Sequence, residues 1–150
     1  MRKLISIFLL AFSLTYCGEK QVVTQAQLDD AAITGYLADN DLTATKTESG
    51  LYYIISLAGG AEKPASDAEI NVAYVGKLIN GTIFDQSTNF TGDLDSMIAG
   101  WEEGIPLIGE GGKIKLLIPS ALGYGSNSAG KIPANSVLIF DVTLKGFTNP

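Results

Sequence analysis

The sequence predicts an α+β fold built around a mainly antiparallel sheet. Four segments, at 51–57, 69–75, 113–119 and 137–146, alternate apolar and polar residues with the period of two that is typical of strands. Turns rich in glycine, asparagine or serine separate these segments, except around Trp101. With one helical pattern ahead of the strands and no internal repeat, the arrangement favours the α+β class.

The first 17 residues have the features of an export signal. Arg2 and Lys3 precede the apolar run LISIFLLAF, which is too short to span a bilayer comfortably. The run leads to LTYC, which is similar to the lipobox of bacterial lipoproteins, although Tyr16 stands where that pattern has a small residue. The single cysteine has no disulfide partner, which favours lipidation of Cys17. The alternatives are a secreted protein or an uncleaved anchor with a stray thiol.

The resemblance to lipoproteins implies an exported protein, attached to the membrane of the bacterial cell envelope through a lipid on Cys17. Gly18 replaces the aspartate that holds some lipoproteins at the inner membrane, which favours the outer membrane, facing the periplasm. Loss of Arg2 and Lys3 with the signal would change the net charge from −6 to about −8. An acidic chain binds phosphate backbones poorly, so we expect no nucleic-acid partner.

A linker and an N-terminal helix are predicted within residues 18–48. Thr24 and Gln27 fit a capping box, and apolar residues then recur at helical spacing over about 25–39. We expect this helix to pack on the domain as a spacer, with a dimerisation helix as the alternative. The polar segment 39–50 ends in glycine and should form a loop.

The strand segments are predicted to bury one face of the sheet, within a domain that spans residues 49–148. The alternating apolar positions are Ile70, Val72, Tyr74, Ile114, Leu116, Ile118, Leu138, Phe140, Val142 and Leu144. The chain has no histidine, which excludes Ser-His-Asp triads, Cys-His pairs and zinc sites built on imidazole. We therefore expect no metal site. We also expect a chemistry that works without the usual bases and nucleophiles.

Four sequence blocks together identify a family. They are VAYVGKLINGTIFD, MIAGWEEGIPLI, KIKLLIPSALGYG and IPANSVLIFDVTL, in this order, and they cover most of residues 70–146. Their order and spacing resemble the FKBP-type peptidyl-prolyl isomerases. The resemblance implies an antiparallel sheet of five or six strands wrapped around one short helix, AGWEEGI, with an N-terminal helical extension typical of exported bacterial members.

The resemblance also implies a shallow apolar pocket with Trp101 as its floor. Asp85, Tyr124 and the backbone N–H of Ile98 would be the catalytic groups, and the substrate-binding positions would be Tyr74, Phe84, Met97, Trp101, Ile132 and Phe140. The family often has Phe-x-Leu before the helix, where this chain has Gly92-Asp93-Leu94. Phe90 lies two residues before Gly92. Whether its ring fills the part of the pocket wall that the family's phenylalanine would form is left open.

The implied activity is cis-trans isomerisation of X-Pro bonds during the folding of exported proteins. No bond is made or broken, so no cofactor is expected. The partners would be proline-containing polypeptides, with macrolide inhibitors as possible ligands of the same pocket. The alternatives are a weakly active or inactive module that binds peptides as a chaperone, motivated by Gly92 and the shortened segment before Trp101, and a purely structural lipoprotein.

Overall fold

The computed structural model describes residues 22–150, so the predicted signal peptide and Cys17 lie outside the described residues. Within the described part, no helix is both long and apolar enough to cross a membrane. Residues 22–150 form two α-helices and six strands: α1 Gln25–Asp39, β1 Thr45–Lys46, β2 Tyr52–Leu57, β3 Glu69–Leu78, β4 Ile83–Asp93, α2 Ala99–Gly104, β5 Lys113–Ile118 and β6 Leu138–Thr148.

The six strands form one antiparallel sheet, which confirms the predicted fold class. Their order across the sheet is β1-β2-β5-β6-β3-β4, so β3 and β6 lie between the strand that precedes α2 and the strand that follows it. One face of the sheet, called the front face here, packs against Trp101 of α2 and against Ile105 and Ile108, which follow this helix. The alternating residues of β5 and β6 are buried in this front core, as the sequence predicts.

The opposite face, called the back face, is partly covered by α1. Ile33 and Leu37 of this helix are buried against Leu117 and Ile139, which point away from the front core. The expectation that only one face is buried is therefore wrong at this end of the sheet, because β5 and β6 carry apolar residues on both faces. Packing of α1 on the domain agrees with the predicted spacer.

The start of α1 has the capping box that the sequence predicts. The Thr24 hydroxyl accepts a hydrogen bond from the Gln27 N–H, and the Gln27 side chain accepts one from the Thr24 N–H. Beyond the helix, the predicted loop 39–50 contains β1, which pairs Thr45 and Lys46 with the start of β2. This part of the loop prediction is wrong, because a strand of two residues is too short to show the apolar alternation by which a strand is predicted.

Candidate functional site

A cavity of about 340 Å³ opens on the front face, between β3, β4, α2 and the segment that follows β5. Aromatic and aliphatic side chains form most of its lining, and few polar groups reach it. The lining residues are Tyr74, Phe84, Asp85, Phe90, Ser96, Met97, Ile98, Trp101, Tyr124 and Phe140.

Trp101 stands at the centre of an aromatic cluster in this cavity. Its ring makes edge-to-face contacts with Tyr74 at 5.1 Å and with Phe140 at 5.2 Å between centroids. Phe90 approaches it edge-on at 6.4 Å. The indole Nε1 is buried, and it has no hydrogen-bond partner among residues 22–150. Helix α2 thus fixes the floor of the cavity through a residue that is only 4% exposed.

Asp85 and Tyr74 form the main polar contact of the cavity. The Tyr74 hydroxyl donates to Asp85 Oδ2 at 2.6 Å, and the Gln86 N–H donates to Asp85 Oδ1 at 2.8 Å. Burial raises the pKa of the Tyr74 phenol well above its ordinary value, and the hydrogen bond to Asp85 adds to the rise. Tyr74 therefore stays protonated and keeps donating, which holds the carboxylate at the cavity edge.

Two hydrogen-bond donors at the cavity are available to a ligand. Ile98 is the N-cap residue of α2, and within the described part of the chain its backbone N–H has no acceptor. Tyr124 is 40% exposed, and its hydroxyl makes no hydrogen bond to any residue in 22–150. Free N–H groups are usual where a helix begins. Both donors can therefore serve carbonyl groups of a bound chain.

A larger depression, about 930 Å³, lies on the back face between Leu42, Lys113 and Thr143. Its polar groups include Lys115 and Asp141, which pair with each other. It lacks the cluster of aromatic rings that surrounds Trp101. The chemistry therefore points to the smaller cavity on the front face.

The structure brings eight of the nine predicted site residues together around the front cavity. The exception is Ile132, which is buried in the front core beside Trp101 and Phe140 but is not among the residues that line this cavity. Its backbone forms an isolated antiparallel bridge with Ala129. Phe90 and Ser96 also line the cavity, and neither was among the predicted site residues. Within residues 22–150, no three His, Cys, Asp or Glu side chains are grouped to hold a metal.

Comparison with known proteins agrees with this geometry. The profile of the FKBP-type peptidyl-prolyl cis-trans isomerase family matches residues 60–145. FKBP-type peptidyl-prolyl cis-trans isomerase FkpA of Buchnera aphidicola subsp. Schizaphis graminum is 53% identical over 110 residues, which cover 70% of this chain and 44% of that protein. FkpA of Aeromonas hydrophila is 39% identical over 147 residues, which cover 90% of this chain and 55% of that protein.

A solved structure shows the same fold. The crystal structure of FkpA from Escherichia coli superposes with a TM-score of 0.74 at 36% identity, over 83% of this chain and 61% of that chain. This chain spans about half the length of the two curated relatives described above. With the matched profile, the shared fold and the predicted site residues around one cavity, the chain belongs to the FKBP-type peptidyl-prolyl cis-trans isomerase family.

Proposed function

We propose that this protein accelerates cis-trans isomerisation of X-Pro bonds in polypeptides, with the front cavity as its active site. The observation that carries the proposal is the aromatic cavity around Trp101, with two donors at its edge. Rotation about an X-Pro bond meets a barrier of about 20 kcal/mol, because amide resonance is lost as the bond twists. An enzyme lowers this barrier only by binding the twisted state more tightly than the planar one.

The apolar lining suits the twisted state. An amide that has lost resonance carries less negative charge on its carbonyl oxygen than a planar amide, so it needs less solvation by water. A cavity lined by Trp101, Phe84 and Phe140 replaces water around the proline and its preceding carbonyl. The planar amide loses more solvation free energy in this exchange than the twisted one, and the difference lowers the barrier.

The polar groups orient the substrate rather than transfer protons. The N–H of Ile98 and the hydroxyl of Tyr124 donate to substrate carbonyls on either side of the proline. Asp85 keeps Tyr74 in place through their 2.6 Å hydrogen bond. No step needs a cofactor, and the substrates are proline-containing polypeptides. Macrolide inhibitors of the family would compete for the same cavity.

The proposal extends to the whole protein. Residues 1–17 act as a signal peptide, residues 18–48 as linker and helix, and residues 49–148 as the isomerase domain. A lipid on Cys17 anchors the protein in the cell envelope, at the outer membrane facing the periplasm, where exported proteins fold. The support is the sequence LTYC after an apolar run, with glycine following Cys17. Mass spectrometry of the mature N-terminus tests the anchor, which an unmodified Cys17 would exclude.

The activity test compares the full chain, purified in mild detergent, with Asp85→Val and Tyr124→Phe. The assay follows conversion of the cis form of short X-Pro peptides, with several residues before proline. We expect acceleration by the native chain and a loss of about tenfold or more in kcat/KM for Asp85→Val, whose carboxylate holds Tyr74. Tyr124→Phe should lose about three- to tenfold, because one orienting hydrogen bond disappears.

Thermal unfolding of each variant provides the control. The proposal requires that activity falls while the variants stay folded. A loss of stability that accounts for the whole loss of activity would show that these residues belong to the core instead. Absence of acceleration for every peptide, with retained suppression of aggregation of a proline-independent client, would show a binding module rather than an isomerase.

A further inference from the structure

A buried carboxylate connects the N-terminal helix to the isomerase domain. Asp29 of α1 is only 3% exposed, and its Oδ2 accepts hydrogen bonds from the Ser120 N–H at 2.8 Å and from the Ser120 hydroxyl at 2.6 Å. Gln25 of the same helix donates to its Oδ1 at 2.7 Å. No Lys or Arg side chain in residues 22–150 pairs with Asp29. A buried charge without a cation depends on such donors, so Asp29 and Ser120 hold each other in place.

Ser120 begins the segment that carries Tyr124 to the cavity. It is 2% exposed and opens a 3-10 turn, Ser120–Leu122, which is separated from β5 only by Pro119. Its carbonyl accepts hydrogen bonds from the N–H groups of Gly123 at 3.0 Å and Gly125 at 2.8 Å, which flank Tyr124. The backbone on both sides of Tyr124 is therefore hydrogen-bonded to Ser120, the residue whose N–H and hydroxyl donate to Asp29.

We infer that Asp29 is a positioning residue for the isomerase site, acting through Ser120 on the Tyr124 hydroxyl. The inference rests on the proposed function and adds a role for α1, which precedes the part of the chain that the family profile matches. Tyr124 is exposed and lacks a side-chain anchor among residues 22–150, so its placement depends on its backbone. A small displacement of an orienting group is enough to slow a reaction considerably.

The neighbouring carboxylate on α1 offers a matched control. Asp30 accepts hydrogen bonds from the Lys46 ammonium and from the Tyr52 hydroxyl, the latter at 2.7 Å. These contacts also attach α1 to the sheet, but they reach β1 and β2 rather than the Tyr124 segment. Asp30→Ala therefore loosens the same helix without releasing Ser120.

The experiment measures kcat/KM and amide hydrogen exchange for the full chain with Asp29→Ala, Asp29→Asn and Asp30→Ala, and for Asp29→Ala combined with Tyr124→Phe. We expect Asp29→Ala to lower kcat/KM about fivefold in the native background and less than about twofold in the Tyr124→Phe background. Asp29→Asn should keep most activity, because its carbonyl can still accept from Ser120. Exchange at Gly123 and Gly125 should be faster in the two variants that carry Asp29→Ala, and unchanged in Asp29→Asn and Asp30→Ala.

The outcomes separate this inference from the proposed function. Equal losses in both backgrounds, an equal loss in Asp30→Ala, or unchanged exchange at Gly123 and Gly125 would each overturn the positioning role. If the native chain does not accelerate isomerisation, the proposed function fails, and the exchange data still decide whether Asp29 holds the Tyr124 segment. Should Asp29→Ala not fold, Ser120→Ala, which removes only the hydroxyl bond, takes its place with the same readouts and a smaller expected loss.

Discussion

Most ring pairs around Trp101 meet at nearly perpendicular angles, and the Tyr74–Phe140 pair is tilted at 57°. Tyr74 meets Trp101 at 84° between ring planes, and Phe84 meets Phe140 at 82°. Edge-to-face pairs are worth about 0.5–1.5 kcal/mol each beyond the area that they bury. Such contacts fix the walls of the cavity before a substrate arrives, so the lining is organised in advance. Each ring is thus both a packing residue and part of the cavity lining.

Phe90 supplies a wall that the family often builds from a different position. Gly92 lies two residues further along β4, on the same face, and a Cβ there would lie 3.0 Å from the Phe90 ring. The missing side chain of Gly92 therefore leaves the space that Phe90 occupies. We expect Phe90→Ala to lower kcat/KM about three- to tenfold in the X-Pro peptide assay, because the ring borders both Trp101 and Tyr74.

Phe147→Ala is the matched control, since Phe147 is also half-buried against the front core but does not line the cavity. Each variant should lose about 2 kcal/mol of stability, and only Phe90→Ala should lose activity. The double variant Phe90→Ala with Gly92→Phe returns a ring to the same strand face and should recover part of the activity. Equal activity losses for Phe90→Ala and Phe147→Ala would contradict a role of Phe90 in the site.

Family resemblance located eight cavity residues without the structure, because they lie at fixed positions within its four blocks. Phe90 could not be placed in the same way, since the pattern at Gly92 departs from the family. The spacing of two between Phe90 and Gly92 would place both on one face of a strand, but the sequence shows no clear strand pattern there. Ile132 was predicted in the wall, and it lies in the same front core as Trp101 and Phe140 without lining the cavity. The catalytic and binding roles of all these residues stay predictions until the variants are measured.

At the scale of elements, α2 packs unusually close to β5. A Cβ at Gly100 would lie 2.6 Å from Ile118 Cγ2, and one at Gly104 would lie 2.5 Å from Leu116 Cδ2. Both partner side chains are fully buried, so they cannot move away easily. We expect Gly100→Ala and Gly104→Ala each to lower the free energy of unfolding by about 1–3 kcal/mol in urea denaturation.

Gly35 in the middle of α1 provides the opposite case. A Cβ at Gly35 meets nothing within 4 Å, and the residue is exposed. Gly35→Ala should therefore raise the free energy of unfolding by about 0.5–1 kcal/mol through helix propensity alone. Stabilisation by Gly100→Ala as well would show that α2 does not need its close approach to β5.

The elements differ in how well the sequence predicts them. The capping box predicts helix α1, and the regular alternation of apolar and polar residues predicts β5 and β6. The structure confirms all three elements. Strand β4, Ile83–Asp93, is an edge strand whose pairing with β3 shifts register between Val72 and Tyr74. A bulge interrupts the period of two, and an edge strand contains many polar residues, so its sequence gave no clear strand pattern.

At the scale of the whole molecule, charges on the back face connect three strands of the sheet. Asp141 of β6 pairs with Lys115 of β5 and, at 3.3 Å, with Lys77 of β3. Partial burial pushes the pKa of Asp141 upward, but the hydrogen bond and charge of Lys115, and then those of Lys77, outweigh it and leave the pKa below its ordinary value of 3.8. The acidic chain thus uses two of its few cations to hold the centre of the sheet.

This lowered pKa makes the stability depend on acidity. Below the ordinary pKa of 3.8, the unfolded chain binds a proton at Asp141 that the folded chain does not, so the contribution of this carboxylate is present above that pH and is lost as the pH falls through the folded pKa. We expect Asp141→Asn to flatten the decline of unfolding free energy below about pH 4. At neutral pH the variant should lose less than about 1 kcal/mol, because water screens a side chain that is 42% exposed.

Denaturant midpoints of Asp141→Asn between acidic and neutral pH measure this effect. Asp67→Asn is the control, since Asp67 has no ion pair among residues 22–150. The paired carboxylate Asp30, whose pKa is lowered by hydrogen bonds from Lys46 and Tyr52, keeps part of the decline in place. An acid profile of Asp141→Asn that matches the native one would show that the pairs with Lys115 and Lys77 do not stabilise the sheet.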